Sequence, residues 1–219
     1  RSHPGILLIH HVKDLESWWD ALSVAWKEVL KKINPQITSN QPSIEVLTQT
    51  VMVTDLNLDA SGIATLNPIT RFVNLSSVSF SDNPLVDDLL PLSELKLLKK
   101  IVGKNTAVSD LSSIEEIQGL ESIDLEGSKV KTILPVLNFP ELTYLNVNGA
   151  EFFADEVPEV LIVKSGITLI YRTAELMTWW DEMSLEWRDL LRAKFSLPES
   201  PSTEQLHQLT SRSELVLER

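Results

Sequence analysis

The acidic stretch Asp55-x-Asn57-x-Asp59, followed by Gly62, has the spacing closest to a metal site. Alternating oxygen-bearing residues are typical of calcium-binding loops, which place a glycine at the sixth position and a glutamate at the twelfth. Here the glycine comes late and Leu66 stands at the twelfth position. The spacing therefore excludes such a loop, although three polar groups on one face leave weak cation binding open.

The histidines suggest a second kind of metal site, since neutral imidazoles are common ligands. His10 and His11 are adjacent, but a later copy of the same stretch has Tyr171 and Arg172 in their place. His207 has no second candidate ligand near it in the sequence. We interpret the pair as polar residues at the end of a strand and expect no metal site.

Other catalytic patterns are missing from the sequence. It has no glycine-rich phosphate loop, no His-Glu-x-x-His and no Gly-x-Ser-x-Gly. The absence of cysteine excludes disulfides, thiol catalysis and zinc–thiolate centres. The carboxylate pairs Asp87-Asp88 and Glu115-Glu116 are interpreted as solvated charge. We therefore expect a protein that is not an enzyme and that uses no cofactor.

Charge and composition limit the partners. The 219 residues carry a formal net charge of −12, and the basic residues are scattered along the chain. Binding to a nucleic-acid backbone needs a basic surface, so no nucleic-acid partner is expected. The longest apolar runs, such as 160–163, are far shorter than the roughly 20 residues of a membrane-spanning helix. We therefore expect no membrane span.

Residues 53–152 contain a repeat that must organise the fold. Apolar pairs two positions apart recur every 22 or 23 residues, and later apolar columns keep the same step. The pairs are Leu56/Leu58, Val78/Phe80, Ile101/Gly103, Ile123/Leu125 and Leu145/Val147; the next column is Ile63, Leu85, Val108, Val130 and Phe152. The pairs alternate with outward residues, as in a strand. This periodicity predicts a leucine-rich repeat solenoid, in which stacked coils bury a continuous core.

The rest of each coil follows from the residue pattern. A polar column (Ser61, Asn83, Thr106 and Ser128, with Ala150 in the fifth coil) is expected to turn inward and bond to the backbone of neighbouring coils. Apolar residues then recur every three positions, which predicts 3₁₀ or irregular return segments. Two departures are visible: Gly103 replaces a core leucine, and one extra residue between Leu85 and Leu89 predicts a bulge on the return side.

The N-terminal part predicts a helical module. Gly5–Ile9 is a short strand-like run. A single amphipathic helix is then expected, ending at Asn34-Pro35, with Ser43 capping a second helix to about Thr48. The apolar face of the first helix is formed by Leu15, Trp18, Trp19, Leu22, Trp26, Val29, Leu30 and Ile33.

The helical module occurs twice. Residues 166–181 repeat residues 5–20 without a gap, 161 positions later, and Leu215 and Leu217 match Leu56 and Leu58. We divide the chain into a capping module (1–52), a repeat array (53–157), and a third part (158–219) that holds a shortened coil, the second module and the start of a further repeat. We interpret the chain as part of a longer tandem protein.

Tryptophans occupy equivalent positions in the two modules: Trp18, Trp19 and Trp26 in the first, and Trp179, Trp180 and Trp187 in the second. Exposed tryptophans stack on sugars, so carbohydrate binding is one hypothesis. The tryptophans also occupy the apolar helix stripe, and a terminal coil needs its apolar edge covered. We therefore favour a packing role against the end of the repeat stack.

The repeats resemble the 22-residue leucine-rich repeats of internalin-like bacterial proteins, over residues 53–152. The resemblance implies an α/β solenoid with parallel strands on its concave face, binding of another protein through that face, and an exported or cell-surface location in a bacterium. A structural spacer or assembly module is the alternative, with self-association through the solenoid ends. The residues expected to contact a partner are Asp55, Asn57, Asp59, Ser79, Lys100, Val102, Lys104, Asp124, Glu126, Tyr144, Asn146 and Asn148.

Overall fold

A computed structural model of the chain describes residues 14–210. Six short parallel strands form one sheet, in which each strand pairs with the next along the chain. They are β1 (Asp55–Asn57), β2 (Ser77–Ser79), β3 (Lys100–Val102), β4 (Ser122–Asp124), β5 (Tyr144–Asn146) and β6 (Thr168–Ile170). The sheet confirms the leucine-rich repeat solenoid.

The predicted apolar pairs form the inner face of the sheet. Leu56 pairs with Val78, and the ladder continues in register to Leu169. The inward residues between them are fully buried. Because β1 to β5 are each followed by a return segment that packs behind the sheet, the coils share one continuous core.

The return segments are 3₁₀ helices, as the three-residue apolar spacing predicts. They span Asn67–Arg71, Leu90–Glu94, Ser112–Ile114 and Leu134–Asn138. Three of them carry proline at their start, where the fixed φ is favourable and no amide hydrogen is needed. The fifth coil returns instead through α4 (Glu156–Val163), so residues 161–163 are helical.

The assignment of Leu85 to the inward column is wrong. Its side chain is 67% exposed, whereas the next residue, Val86, is fully buried. The extra residue therefore lies before Val86, in a turn closed by its amide and the carbonyl of Asn83 (3.0 Å). Pro84 and Leu85 point outward in this turn, and the 3₁₀ segment that follows keeps its usual length.

Gly103 is explained by its neighbour in the second coil. A Cβ built on Gly103 would lie 2.5 Å from Cζ of Phe80, which occupies the same column one coil earlier. The larger side chain in one coil thus fills the space that a leucine would occupy in the next. Both residues are buried.

We expect Gly103→Ala to lower the free energy of unfolding by about 1–3 kcal/mol, since the new methyl group overpacks the core. In a Phe80→Leu background the same change is expected to cost less, because the ring that it would meet is gone. Chemical denaturation of the two single variants and the double variant measures this interaction. Equal costs in both backgrounds would contradict the size exchange.

The first module contains three helices in the described residues: α1 (14–21), α2 (Val24–Ile33) and α3 (Ile44–Val51). The prediction of one helix through Ile33 is therefore wrong. Ser23 interrupts it, because its hydroxyl accepts a hydrogen bond from the Trp26 amide and caps α2. The expected stop at Asn34 and the cap at Ser43 are confirmed.

The second module follows β6 with α5 (Thr173–Glu182), α6 (Leu185–Phe195) and α7 (Thr203–Thr210). Helices α1–α3 share the core of the repeats, whereas α5–α7 have a small core of their own. Gly5–Ile9, His10, His11, Leu215 and Leu217 lie outside the described residues.

Candidate binding surface on the strand face

The outward residues of the strands form the strand face, and strand pairing aligns them in three rows. Backbone hydrogen bonds between neighbouring coils continue past the end of each of the first four strands. These bonds align the residues of the third row. The rows are Asp55, Ser77, Lys100, Ser122, Tyr144 and Thr168; Asn57, Ser79, Val102, Asp124, Asn146 and Ile170; and Asp59, Ser81, Lys104, Glu126 and Asn148. The register thus brings the expected partner-binding residues together on one surface.

Side chains at the strand ends order the backbone that follows. Asn57 Oδ1 accepts the Asp59 amide at 2.9 Å, and Asn146 Oδ1 accepts the Asn148 amide at 3.0 Å. Such contacts over two residues mimic a turn and fix the chain where it leaves the strand. The polar groups at these strand ends are therefore held in place by the protein itself.

The carboxylate of Asp59 is used within the protein. Its Oδ1 accepts hydrogen bonds from the Ser79 hydroxyl and, at 2.7 Å, from the Ser81 amide, which ties the first coil to the second. The acidic stretch thus serves as a link between coils. Over residues 14–210 no group of three potential ligand side chains is arranged to hold a metal ion.

Lys104 forms the charged centre of the face. Its Nζ lies 2.9 Å from Glu126 Oε2, as the ladder predicts, and 3.1 Å from Asp124 Oδ2. The hydrogen bond to Glu126 raises the pKa of Lys104, and Asp124 raises it further. The ammonium group stays charged between two carboxylates, so this part of the face is ordered.

Lys100 and Val102 are the open positions at the middle of the face. Lys100 is exposed and makes no ion pair with any residue between 14 and 210, and Val102 is half-buried beside it. This part of the face therefore presents a charged group next to an apolar side chain.

The second module covers the far end of the face. Helix α7 packs against β6, and Asn146 and Ile170 are only 5% and 9% exposed. Asn148 Oδ1 accepts the Thr173 amide at the start of α5 (2.8 Å). Burial raises the pKa of Tyr144, and Glu204 of α7 adds to the shift. The open part of the face is therefore β1–β4.

Sequence reasoning missed this cover. It treats Tyr144, Asn146 and Asn148 as exposed because it assigns the shortened coil to the third part of the chain and separates the second module from the array. The step from Leu145 to Leu169 is close to the repeat period and would have identified the sixth strand.

His207 anchors α7 over β6. Its ring lies 5.8 Å from the Tyr171 ring, and its Nε2 lies 3.4 Å from Thr173 Oγ1. The side chain is 2% exposed, and burial lowers the pKa of His207 to about 4. The neutral form is therefore the one that fits this contact.

Acidification is expected to destabilise the protein through His207. Between pH 6.5 and 4 the unfolded chain binds the proton and the folded chain does not, so stability falls as the pH drops. At pH 5 the loss amounts to roughly 2 kcal/mol. Thermal unfolding of the parent and of His207→Gln at pH 7 and pH 5 measures the contribution of His207 to the pH dependence, because the variant has no titrating group at position 207. Identical pH dependence of the two proteins would contradict the assignment.

The first module seals the other end of the solenoid. The indole N–H groups of Trp26 and Trp18 donate to the carbonyls of Thr65 (2.9 Å) and Pro68 (3.1 Å) in the first return segment. Trp26 is 1% exposed. The predicted packing against the end of the repeat stack is thus seen for Trp18 and Trp26. In the second module Trp180 packs in that module's own small core, and Trp187 is 60% exposed, so neither packs as predicted in this chain.

None of the helices between residues 14 and 210 combines the length and the hydrophobicity that a membrane-spanning helix requires.

No protein-family model and no curated protein matches the sequence. Solved structures match the fold. Internalin C2 of Listeria monocytogenes aligns with 59% of this chain and 56% of its own length, at 17% identity and a TM-score of 0.52. A second internalin of that species aligns with 67% of this chain and 55% of its own length, at 14% identity and a TM-score of 0.43. A leucine-rich repeat protein of Leptospira interrogans aligns with 47% of this chain and 26% of its own length, at 16% identity and a TM-score of 0.43. The chain spans about half the length of the two internalins. With its parallel sheet and 3₁₀ returns, the chain has a leucine-rich repeat fold similar to that of internalin C2.

Proposed function

We propose that the protein is a binding scaffold for another protein, and that the partner contacts the strand face over β1–β4. The observation that carries this proposal is the ordered, solvent-facing surface around Lys100 and Val102, which the modules leave open. The concave sheet is the usual docking surface of a repeat solenoid.

The order of the surface favours binding. Asp59 and Lys104 are held by neighbouring coils through hydrogen bonds and ion pairs. Side chains that are already fixed lose little conformational entropy when a partner binds. The cost of association is therefore lower than for a flexible polar surface.

An exported bacterial protein is the setting that we propose. The fold matches internalin C2 of Listeria monocytogenes over about half of its length. A role as a spacer in a tandem protein is the alternative, and it predicts that no residue of the strand face is needed for binding.

Lys100→Glu is expected to weaken the partner's affinity by about tenfold or more, because a charge contact of this kind contributes at least 1–2 kcal/mol. A photo-crosslinking residue at Val102 in bacterial-surface extracts would first capture the partner. Titration of the purified partner against parent and variant then gives the affinities.

Lys96→Glu provides the matched control, since it makes the same charge change on the exposed return side. It should leave the affinity unchanged. Equal affinities of both variants, or crosslinks that are no more frequent at Val102 than at Lys96, would favour the spacer.

A further inference from the structure

The two helical modules have the same internal packing. The residues that hold the helices together are buried in both copies, and each of them is at most 8% exposed. The equivalent pairs are Leu15 and Leu176, Trp19 and Trp180, Leu30 and Leu191, and Leu47 and Leu206. The second module is therefore folded in the same manner as the first.

The modules differ on one outer face. Trp26 is 1% exposed and its counterpart Trp187 is 60% exposed; Val29 is 6% exposed and its counterpart Leu190 is 54% exposed. The local geometry is the same, because a serine hydroxyl caps both helices and accepts the amide of the tryptophan, at 3.3 Å for Trp26 and 3.4 Å for Trp187. The second module thus presents the same apolar residues to solvent.

In the first module a repeat coil covers this face. Trp26 and Trp18 donate to carbonyls of the first return segment, and the Trp18 ring packs edge-on against Phe72 at 6.0 Å. The surface of the coil that contacts this face thus combines an apolar area with two carbonyl acceptors. These acceptors are the Thr65 and Pro68 carbonyls, at the start of a 3₁₀ helix.

We infer that the face around Trp187 and Leu190 is a docking site for the first return segment of another leucine-rich repeat block, carried by the same polypeptide after the second module. The sequence supports this occupant, since Leu215 and Leu217 repeat the spacing of Leu56 and Leu58. The module is then a two-sided connector. Its strand β6 closes one sheet, and its helices α5 and α6 start the next block.

A second copy of the chain is a poorer occupant. Its own first coil already has the Thr65 and Pro68 carbonyls engaged by Trp26 and Trp18. Docking in trans would have to displace that contact. A coil that follows in the same chain has no such competitor and is held close by the connection.

An extended chain tests the inference directly. It consists of residues 1–212 followed by residues 54–210, with Trp187→Phe in the added copy so that only the first Trp187 is read, and the added first coil stands in the register of Leu215 and Leu217. Hydroxyl-radical footprinting with mass spectrometry reports the accessibility of Trp187. We expect rapid oxidation in the 219-residue chain and protection in the extended chain.

Leu185 is the matched control, because its counterpart Val24 is 77% exposed even where a coil covers the first module. Its reactivity should be the same in both chains. Equal oxidation of Trp187 in the two chains would overturn the inference, as would protection of Trp187 by glycans in the 219-residue chain, which would point to carbohydrate binding.

A variant of the 219-residue chain keeps the inference testable if the extended chain fails to fold. In this graft, residues 24–32 are replaced by the sequence of residues 185–193, so that the outer face of α6 is placed against the first coil. We expect a cooperative unfolding transition close to that of the parent and protection of the grafted tryptophan. A graft that unfolds, or that leaves this tryptophan reactive, shows that the face does not fit a coil.

Discussion

Replacing Trp26 with alanine should lower the free energy of unfolding by about 3–5 kcal/mol, whereas Trp187→Ala should change it by roughly 0.5 kcal/mol. The first substitution removes a buried aromatic side chain that covers the end of the repeat stack. It also leaves the Thr65 carbonyl without its donor. The second removes a side chain that is 60% exposed.

Urea denaturation of the two variants, followed by circular dichroism, measures both values. Because the tryptophans occupy equivalent positions after equivalent serine caps, intrinsic helix propensity cancels in the comparison. Similar losses for the two substitutions would show that both modules cover a coil, or that neither does.

Asn83→Ala is the second large effect, with an expected loss of at least about 3 kcal/mol. The side chain is fully buried and bridges two coils. Its Nδ2 donates to the carbonyls of Leu58, Phe80 and Ser81, and its Oδ1 accepts the Ile63 amide. Alanine would leave the Ile63 amide and the Phe80 carbonyl without these bonds, which is costly, whereas the Leu58 and Ser81 carbonyls keep the Ser61 hydroxyl and the Ala60 amide.

Ser128→Ala is the control for Asn83. Ser128 occupies the same column and is 2% exposed, but its hydroxyl has no hydrogen-bond partner. Its removal should be neutral or slightly stabilising. A threonine at position 83 should recover part of the loss, since Thr106 bonds to the carbonyl of Gly103. A cost for Ser128→Ala equal to that for Asn83→Ala would contradict this account.

The solenoid could be predicted because its cause is local and repeated. Each apolar pair specifies a strand, and each three-residue step specifies a 3₁₀ return, so the period alone determines how coils stack. At Leu85 and Ser23 the residue pattern predicts the structure incorrectly. Position 85 carries a leucine, yet a turn after Asn83 shifts the inward position to Val86. A cap at Ser23 interrupts a face that looks continuous in the sequence.

The candidate site could be predicted only in part. The rows of the strand face follow from the register, and the pairing of Lys104 with Glu126 follows from adjacency across the ladder. The cover over Asn146 could not be predicted, because it depends on how α7 packs against β6. The same holds for Trp187, whose burial depends on a neighbouring coil rather than on its own helix.

The central claim is that a shared sequence pattern has two environments in one chain: the first module covers a coil, and the second leaves the equivalent face open. Residue-resolved hydroxyl-radical footprinting of the 219-residue protein tests this claim most directly. Trp26 should remain protected until the protein unfolds, and Trp187 should oxidise at the rate of an exposed indole. Oxidation of both at the same rate, fast or slow, would contradict the account.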